Sequence, residues 1–354
     1  NVTLHLEMKY NTYTLDNGLR IIHLPSDSQV VYCGYQINAG TRNEEPGEEG
    51  LAHFCEHVTF KGTERRKAWH ILNCLESVGG DLNAYTNKEG TVYYSAILKE
   101  HIARAVDLLS DIVFHSVYPQ AEIDKEVEVI CDEIESYNDS PAELIYDEFE
   151  NILFKGSPLG HNILGTAELV RAFKTEDALR FTRKLYRPDN AIFFAYGDID
   201  FKKLVKLIQK ALEECPKSRE LACSADCKSA ETPTEEIEAG EKLPQISQIT
   251  QISRDENSIA TEKSVSSVES VGPKNYQSVR NEIAGQTIVM QKNTHQAHVM
   301  IGTRAYDVND DRRMPLYLLN NMLGGPGMNA KLNLALREHN GLVYTVESTM
   351  VAYG

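Results

Sequence analysis

The sequence predicts an α+β fold in which a mainly antiparallel sheet packs against helices. It also predicts two similar domains, of which the second is incomplete. Two pairs of strand-like segments are each joined by a short turn, as expected for antiparallel hairpins. Elsewhere apolar residues recur every three or four positions, which is typical of helices with one buried face. With 354 residues, 42% of them hydrophobic, the chain is long enough for about two domains with real cores.

The first predicted domain covers residues 1–213 and alternates between strand and helix patterns. Tyr13 and Leu15 alternate with polar residues before the turn Asp16-Asn17-Gly18, which predicts a hairpin over residues 10–24. The same reasoning predicts further strands at 30–39, 81–86, 91–98 and 190–196. Apolar spacing and flanking Gly or Pro predict helices at 51–61, 67–78, 99–116, 119–138, 141–153, 175–186 and 201–213.

Residues 214–284 are predicted to be a polar, low-complexity linker. Such a composition cannot bury enough apolar area to offset the conformational entropy of the chain. The isoleucine triplets between Gln245 and Ser253 leave a transient edge strand as the alternative. Residues 285–354 then predict a partial second domain. Its strands are expected at 287–290, 297–302 and 342–351, and its helices at 311–323 and 328–339.

Charge and cysteine usage restrict the class of partner. The chain has 36 basic and 52 acidic residues, a net charge of −16, which argues against nucleic acid or an anionic membrane as a partner. No apolar run approaches the roughly 20 residues of a membrane span. Seven cysteines without a Cys-x-x-Cys pair indicate free thiols in a reducing compartment. Because no leader is visible, a cytoplasmic location is expected.

One short segment carries the pattern His-x-x-Glu-His, formed by His53, Glu56 and His57. In a helix, positions i, i+3 and i+4 share one face, so the three side chains would point the same way. Two imidazoles one turn apart can bind one zinc ion, and the neighbouring carboxylate can accept a proton from water. By itself the pattern is also compatible with an ordinary helix, because it can arise by chance.

A second candidate lies on the long acidic helix predicted at 119–138. Ile123 and Ile130 belong to an apolar series that gives this helix one buried face. Glu126 and Glu133 are seven residues apart, two turns, so they share another face. The pattern is also compatible with a solvated surface, the usual place of glutamate.

Several motifs together resemble the pitrilysin/insulinase family of zinc peptidases, which includes mitochondrial processing peptidase. The resemblance covers most of residues 10–200 and again 285–350. The motifs are His53-Phe54-Cys55-Glu56-His57 with Phe60-Lys61-Gly62-Thr63, Leu82-Asn83-Ala84-Tyr85-Thr86, Pro158-Leu159-Gly160 with Ile163-Leu164-Gly165, Tyr186-Arg187-Pro188-Asp189-Asn190, and residues 337–344.

The resemblance implies a zinc-dependent metalloendopeptidase that hydrolyses extended peptides in an enclosed chamber. Residues 1–213 would then be the zinc-bearing peptidase domain, and residues 285–354 a partial, peptidase-like domain that closes over the substrate. It implies one zinc ion per chain, bound by His53, His57 and Glu133; 75 residues separate the last two. Glu126 would brace the site, and the fourth zinc position would stay open to water, as in catalytic sites. Glu56 would take a proton from that water and deliver it to the leaving amine.

Four more residues acquire roles through the resemblance. Asn83 and Ala84 match an edge strand to which a peptide substrate adds. Arg337 and Tyr344 match a pair that a later domain brings to the zinc site, where they would hold the substrate carbonyl and the developing oxyanion. In two-domain relatives the pair comes from another subunit, so we expect a homodimer or a related partner subunit. Without the resemblance these positions are an ordinary strand Asn, a surface Arg and a packed Tyr.

Two rival hypotheses belong to other functional classes. The family contains non-catalytic peptide-binding or assembly subunits, which typically lose the zinc ligands or the base. This chain retains His53, Glu56, His57 and Glu133, which favours the enzyme. A structural zinc module would normally have a fourth protein ligand, and no such ligand is evident.

Overall fold

The computed structural model describes residues 9–213, 249–255, 287–291 and 295–353, with the backbone alone at 249–255. The chain divides into two compact units. The first comprises residues 1–243 with 353–354, and the second comprises residues 244–352. The division falls inside the predicted 214–284 linker, and the predicted domain limits stay predictions.

The first unit contains a six-stranded sheet. Its strands are β1 Asn11–Thr14, β2 Arg20–Pro25, β3 Val30–Ile37, β4 Asp81–Thr86, β5 Thr91–Leu98 and β6 Ala191–Gly197. They lie in the order β1-β2-β6-β3-β5-β4. Strands β2 and β6 run parallel, and every other neighbouring pair is antiparallel. The predicted α+β class with a mainly antiparallel sheet is therefore confirmed.

Eight α-helices accompany this sheet in the described part of the first unit. They are α1 Leu51–Thr59, α2 Ala68–Glu76, α3 Ile102–His115, α4 Gln120–Asn138, α5 Pro141–Leu153, α6 Ala167–Ala172, α7 Thr175–Leu185 and α8 Phe201–Glu213. Apolar spacing predicted all of them except α6, which has only six residues. Instead, the Thr166 side chain marks its start by accepting a hydrogen bond from the Leu169 N–H group.

The core lies between the helices and one face of the sheet. Tyr35 of β3 and Tyr93 of β5 are fully buried there. The Tyr35 hydroxyl is hydrogen-bonded to Ser110 of α3 at 2.8 Å, which ties that helix to the middle of the sheet. Strand β4 pairs with β5 alone among the described residues and thus forms one edge of the sheet.

The second unit contains a three-stranded antiparallel sheet and two helical segments. Its elements are β7 Ile249–Asp255, β8 Gln296–Ile301, α9 Arg313–Gly324, a π-helical segment Asn333–Glu338, and β9 Val346–Thr349. Strand β7 lies between β8 and β9. The side chain of Asn320 on α9 donates a hydrogen bond to the Ser348 carbonyl at 2.8 Å, which joins the helix to β9.

Three expectations for this region are wrong in part. Residues 249–255 form the central strand instead of a linker or an edge strand, because β-branched residues favour strands and the backbone pairs on both sides. Residues 287–290 do not form the predicted strand. The helix predicted at 328–339 is the shorter segment Asn333–Glu338. The remainder of the predicted linker, 214–248 and 256–284, lies outside the described residues.

Candidate metal centre and active site

Helix α1 holds two histidines on one face. Gly50 precedes the helix in a left-handed conformation, and Leu51, Phe54 and Val58 anchor it in the core. The remaining face carries His53 and His57, whose ring centroids are 4.6 Å apart. Because the apolar residues fix the rotation of the helix, both imidazoles are directed to the same place.

Helix α4 brings a carboxylate to these imidazoles. Its buried apolar face turns Glu133 toward α1, so that Glu133 Oε2 lies 3.3 Å from His57 Nε2 and Oε1 lies 3.8 Å from His53 Nε2. One ligand atom from each of the three residues lies within 4.8 Å of the other two. Ligand atoms about 2.0–2.1 Å from a tetrahedral zinc ion are about 3.3 Å apart. Two nitrogens and one oxygen at these separations fit zinc.

Glu126 fixes the orientation of His57. Its Oε1 accepts a hydrogen bond from His57 Nδ1 at 3.1 Å, and its Oε2 lies 2.5 Å from the Lys61 ammonium. Burial alone would raise the pKa of Glu126, but the hydrogen bonds from His57 and Lys61 outweigh burial and lower that pKa. A carboxylate that holds one imidazole nitrogen leaves the other directed at the metal position.

The two histidines differ in charge. Burial and the nearby His57 lower the pKa of His53 to about 4, so its ring is neutral at pH 7. Burial also disfavours charge on His57, but the hydrogen bonds to Glu126 and Glu133 outweigh it and raise its pKa to about 9. The buried Nδ1 of His53 has no hydrogen-bond partner among the described residues.

Glu56 lies on α1 between the two histidines and is held from the neighbouring strand. Thr86 Oγ1, at the end of β4, donates a hydrogen bond of 2.6 Å to Glu56 Oε2. Burial raises the pKa of Glu56, and the Thr86 hydrogen bond opposes that rise. A carboxylate with a raised pKa is a stronger base than an exposed one, as expected of a group that moves protons.

The structure places Asn83 and Ala84 on the edge strand β4. Asn83 is exposed and Ala84 is half-buried. The Ala84 N–H group donates a hydrogen bond to Asn83 Oδ1 at 2.8 Å. This donor is therefore satisfied locally, and a peptide that uses it would have to displace the Asn83 side chain.

Arg337 and Tyr344 lie together in the second unit. The Arg337 guanidinium is 5.7 Å from the centre of the Tyr344 ring, within reach of a cation–π contact. Both residues line a cavity of about 490 Å³ that also contacts Asn320 and Gly324 of α9. Tyr344 is 71% exposed, so its hydroxyl is accessible. Placement of this pair relative to the histidines stays a prediction.

Two contacts at the site were not assigned from the sequence. Thr86 and Lys61 both fall inside the quoted motifs, but neither was given a role. Lys61 lies two residues beyond the end of α1, and its contact with Glu126 joins it to a different helix. The Thr86 contact joins a strand to a helix 30 residues away in sequence, and no local pattern reports such a contact.

Comparison with known proteins gives the family. The model of insulinase, peptidase family M16, matches residues 21–167, and the model of the peptidase M16 inactive domain matches residues 172–354. The chain belongs to this family. The predicted relationship to pitrilysin/insulinase peptidases is thus confirmed.

Individual relatives agree with this assignment. The chain is 30% identical to the uncharacterized zinc protease YmxG of Bacillus subtilis (strain 168) over 96% of this chain and 70% of that protein. It is 38% identical to the mitochondrial-processing peptidase subunit beta of Saccharomyces cerevisiae over 58% of this chain and 45% of that protein. The names of such relatives support zinc use and peptidase activity in general.

A solved structure supports the fold. A protease from Helicobacter pylori superposes with a TM-score of 0.70 at 20% identity, over 97% of this chain and 71% of that one. The chain spans about half the length of several curated relatives that it matches. In the described parts of the chain, no helix is long and apolar enough to cross a membrane.

Proposed function

We propose that this chain is a zinc-dependent metalloendopeptidase that hydrolyses extended peptides. One observation supports it best: His53, His57 and Glu133 converge on one point. The Glu56 carboxylate lies on α1 between the two histidines. We infer one zinc ion per chain, held by these three side chains. Three protein ligands leave a position for water or substrate, which is the arrangement of catalytic zinc sites.

Each step of the proposed hydrolysis is assigned to a particular side chain. Bound zinc would supply a Lewis acid for the scissile carbonyl and would acidify water at its open position. Glu56 takes the proton from the attacking water and later gives it to the leaving amine. Thr86 keeps the Glu56 carboxylate directed at the reacting atoms, and Glu126 keeps His57 in the required tautomer.

The substrate is proposed to bind as an added strand on β4. Backbone hydrogen bonds to an edge strand recognise any extended peptide and therefore tolerate many sequences. Ala84 would offer its N–H group once Asn83 turns away, and the freed Asn83 amide would hold a substrate carbonyl. Enclosure of the peptide in a chamber is part of the same proposal.

Arg337 and Tyr344 complete the proposed site. Arg337 would hold a substrate carbonyl, and the Tyr344 hydroxyl would donate a hydrogen bond to the developing oxyanion. We propose that they act across subunits in a homodimer or with a related partner subunit. Peptide is the only substrate class in this proposal, without nucleic acid or membrane, and the expected compartment is the cytoplasm.

The second candidate is a non-catalytic peptide-binding or assembly subunit of the same fold. The match of residues 172–354 to the inactive domain favours a binding role for that part of the chain. The complete set of ligands and the base in the first unit favours the enzyme for the whole.

Replacing Glu56 with Gln tests the proposal. Glu56→Gln should bind zinc as the parent does, because Glu56 is not a ligand. It should cleave a quenched peptide at least about 100-fold more slowly, because the amide cannot accept the proton. Metal analysis and peptide turnover measure both, and the exposed Glu76→Gln on α2 is the matched control. Unchanged turnover in Glu56→Gln would remove Glu56 from its role.

A further inference from the structure

Glu44 is a buried carboxylate that caps helix α1 from outside the helix. Its oxygens accept hydrogen bonds from the backbone N–H groups of Gly50 at 3.1 Å and Ala52 at 2.7 Å. The first amides of a helix have no partner within it, and Gly50 has no side chain to supply one. Glu44 therefore fixes the turn immediately before His53.

His161 offsets the burial of Glu44. The side chain of Glu44 is fully buried, and His161 Nε2 donates to its Oε2 at 2.8 Å. A buried carboxylate is costly unless such a partner is present. Two glycines, Gly50 and Gly165, let the loop that carries His161 approach α1. A Cβ atom on Gly165 would lie 2.1 Å from the Glu49 carbonyl oxygen, and Gly165 has a φ of +68°.

Lys88 joins the same loop to the edge strand. It lies in the turn after β4 and is 2% exposed. Its ammonium group donates hydrogen bonds to the carbonyls of Leu159 at 3.1 Å and His161 at 2.6 Å. His161 thus contacts the cap of α1 through its ring and the end of β4 through its backbone.

We propose that Glu44, Lys88 and His161, the bracing cluster, are positioning residues that fix the separation between α1 and β4. The inference rests on the proposed function, because that separation sets the place of Glu56 relative to Thr86, whose hydrogen bond of 2.6 Å crosses the same gap. A displacement of about 1 Å at a catalytic group can cost about 100-fold in rate. Among the described residues, the hydrogen bonds and ion pairs of the bracing cluster reach neither a proposed metal ligand nor Glu56, so we expect it to act through α1 and β4.

The test compares His161→Ala, His161→Gln and the control His101→Ala, a partly exposed histidine beside Glu100. His161→Ala should weaken zinc binding about tenfold, measured by competition with a chelator, because loss of the Glu44 cap loosens the turn that carries His53. It should lower kcat by a similar factor and leave KM unchanged, because substrate binds elsewhere on β4. Amide hydrogen exchange at Ala52 and His53 should become faster. His161→Gln should restore most of the loss, because its amide can donate to Glu44, and His101→Ala should change nothing.

Two outcomes overturn the inference: zinc affinity and α1 exchange unchanged in His161→Ala, or losses as large in His161→Gln as in His161→Ala. If His161→Ala does not fold, Glu44→Gln replaces it, because the amide oxygen can still accept one of the two α1 hydrogen bonds. Glu44→Gln should weaken zinc binding by the same factor. Unchanged zinc affinity in Glu44→Gln would overturn the inference. Should the parent not cleave peptides, the proposed function fails, while zinc affinity and hydrogen exchange still decide the role of the bracing cluster.

Discussion

His57 is the most constrained side chain of the site, because each ring nitrogen faces a carboxylate. Nδ1 donates to Glu126 and Nε2 faces Glu133. Because the raised pKa of His57 puts a proton on both ring nitrogens at pH 7, a metal ion must displace the Nε2 proton, while Glu126 keeps the Nδ1 proton in place. The zinc affinity of the site is therefore expected to depend on Glu126, which is not itself a proposed ligand.

Removing the charge of Glu126 tests this dependence. Glu126→Gln should lower zinc affinity by about 10- to 100-fold, because the neutral amide holds the His57 proton less firmly. Competition with a chelator of known affinity measures the effect. Glu122→Gln, a change on the same helix that pairs only with Lys125 in the described contacts, should keep parental affinity. Equal affinities in the two variants would contradict the role of Glu126.

At the scale of elements, the edge strand β4 is the proposed docking site for peptide. Ala84→Pro removes one outward backbone donor, and proline is tolerated on edge strands. We expect KM for a peptide substrate to rise about five- to tenfold, the value of one hydrogen bond, with zinc content unchanged. Ala84→Ser keeps the N–H group and should behave like the parent. A parental KM in Ala84→Pro would argue against strand addition at this position.

The segment after α1 is fastened to α3 by ion pairs. Arg65 and Arg66 each contact Asp107 and Asp111. Burial alone would raise the pKa of Asp107, but the hydrogen bonds and charges of the two arginines outweigh it and lower that pKa. A lowered folded-state pKa means that the stabilisation is present above the unfolded-state pKa of about 3.9 and is lost as pH falls through the folded value.

Asp107→Asn should therefore lower the thermal midpoint by a few degrees at pH 7. The difference from the parent should shrink as the pH falls from about 3.9 towards the lowered folded-state pKa, because protonation of Asp107 in the parent progressively removes the charge that the substitution removes. Thermal unfolding followed across pH 3–8 measures it, with the exposed Asp27→Asn as control. A difference that stays constant with pH would show that charge at Asp107 is not the cause.

Elements with a strong local pattern could be predicted from the sequence, and those that depend on distant partners could not. The apolar spacing of α4 predicted both its extent and the shared face of Glu126 and Glu133. The polar composition around β7 predicts a linker. The strand depends on backbone pairing with β8 and β9, which are distant in sequence, and composition does not indicate such pairing. The resemblance suggested the metal ligands, whereas the bond from Thr86 to Glu56 depends on how β4 packs beside α1.

At the scale of the whole molecule, the proposed action of Tyr344 across subunits can be tested by mixing. Glu56→Gln and Tyr344→Phe are each expected to be inactive. In a dimer formed from one of each, one of the two sites keeps both groups intact. Random exchange of subunits should then restore about a quarter of the parental peptide turnover.

The control mixes Glu56→Gln with the double variant Glu56→Gln, Tyr344→Phe, which leaves no intact site. Light scattering on the same samples reports whether dimers form. Absence of restored turnover in a mixture that does form mixed dimers would refute action across subunits.

The position of β6 also bears on the order of events during synthesis. This strand comes late in the first unit, yet it lies between β2 and β3 in the middle of the sheet. A nascent chain that ends before residue 191 already carries both histidines and Glu133, but its sheet is split into two parts. Because long-range pairings form slowly and late, the ribosome must release β6 before the core can close. Binding of the ion is therefore expected to be a late step in maturation, after β6 has emerged.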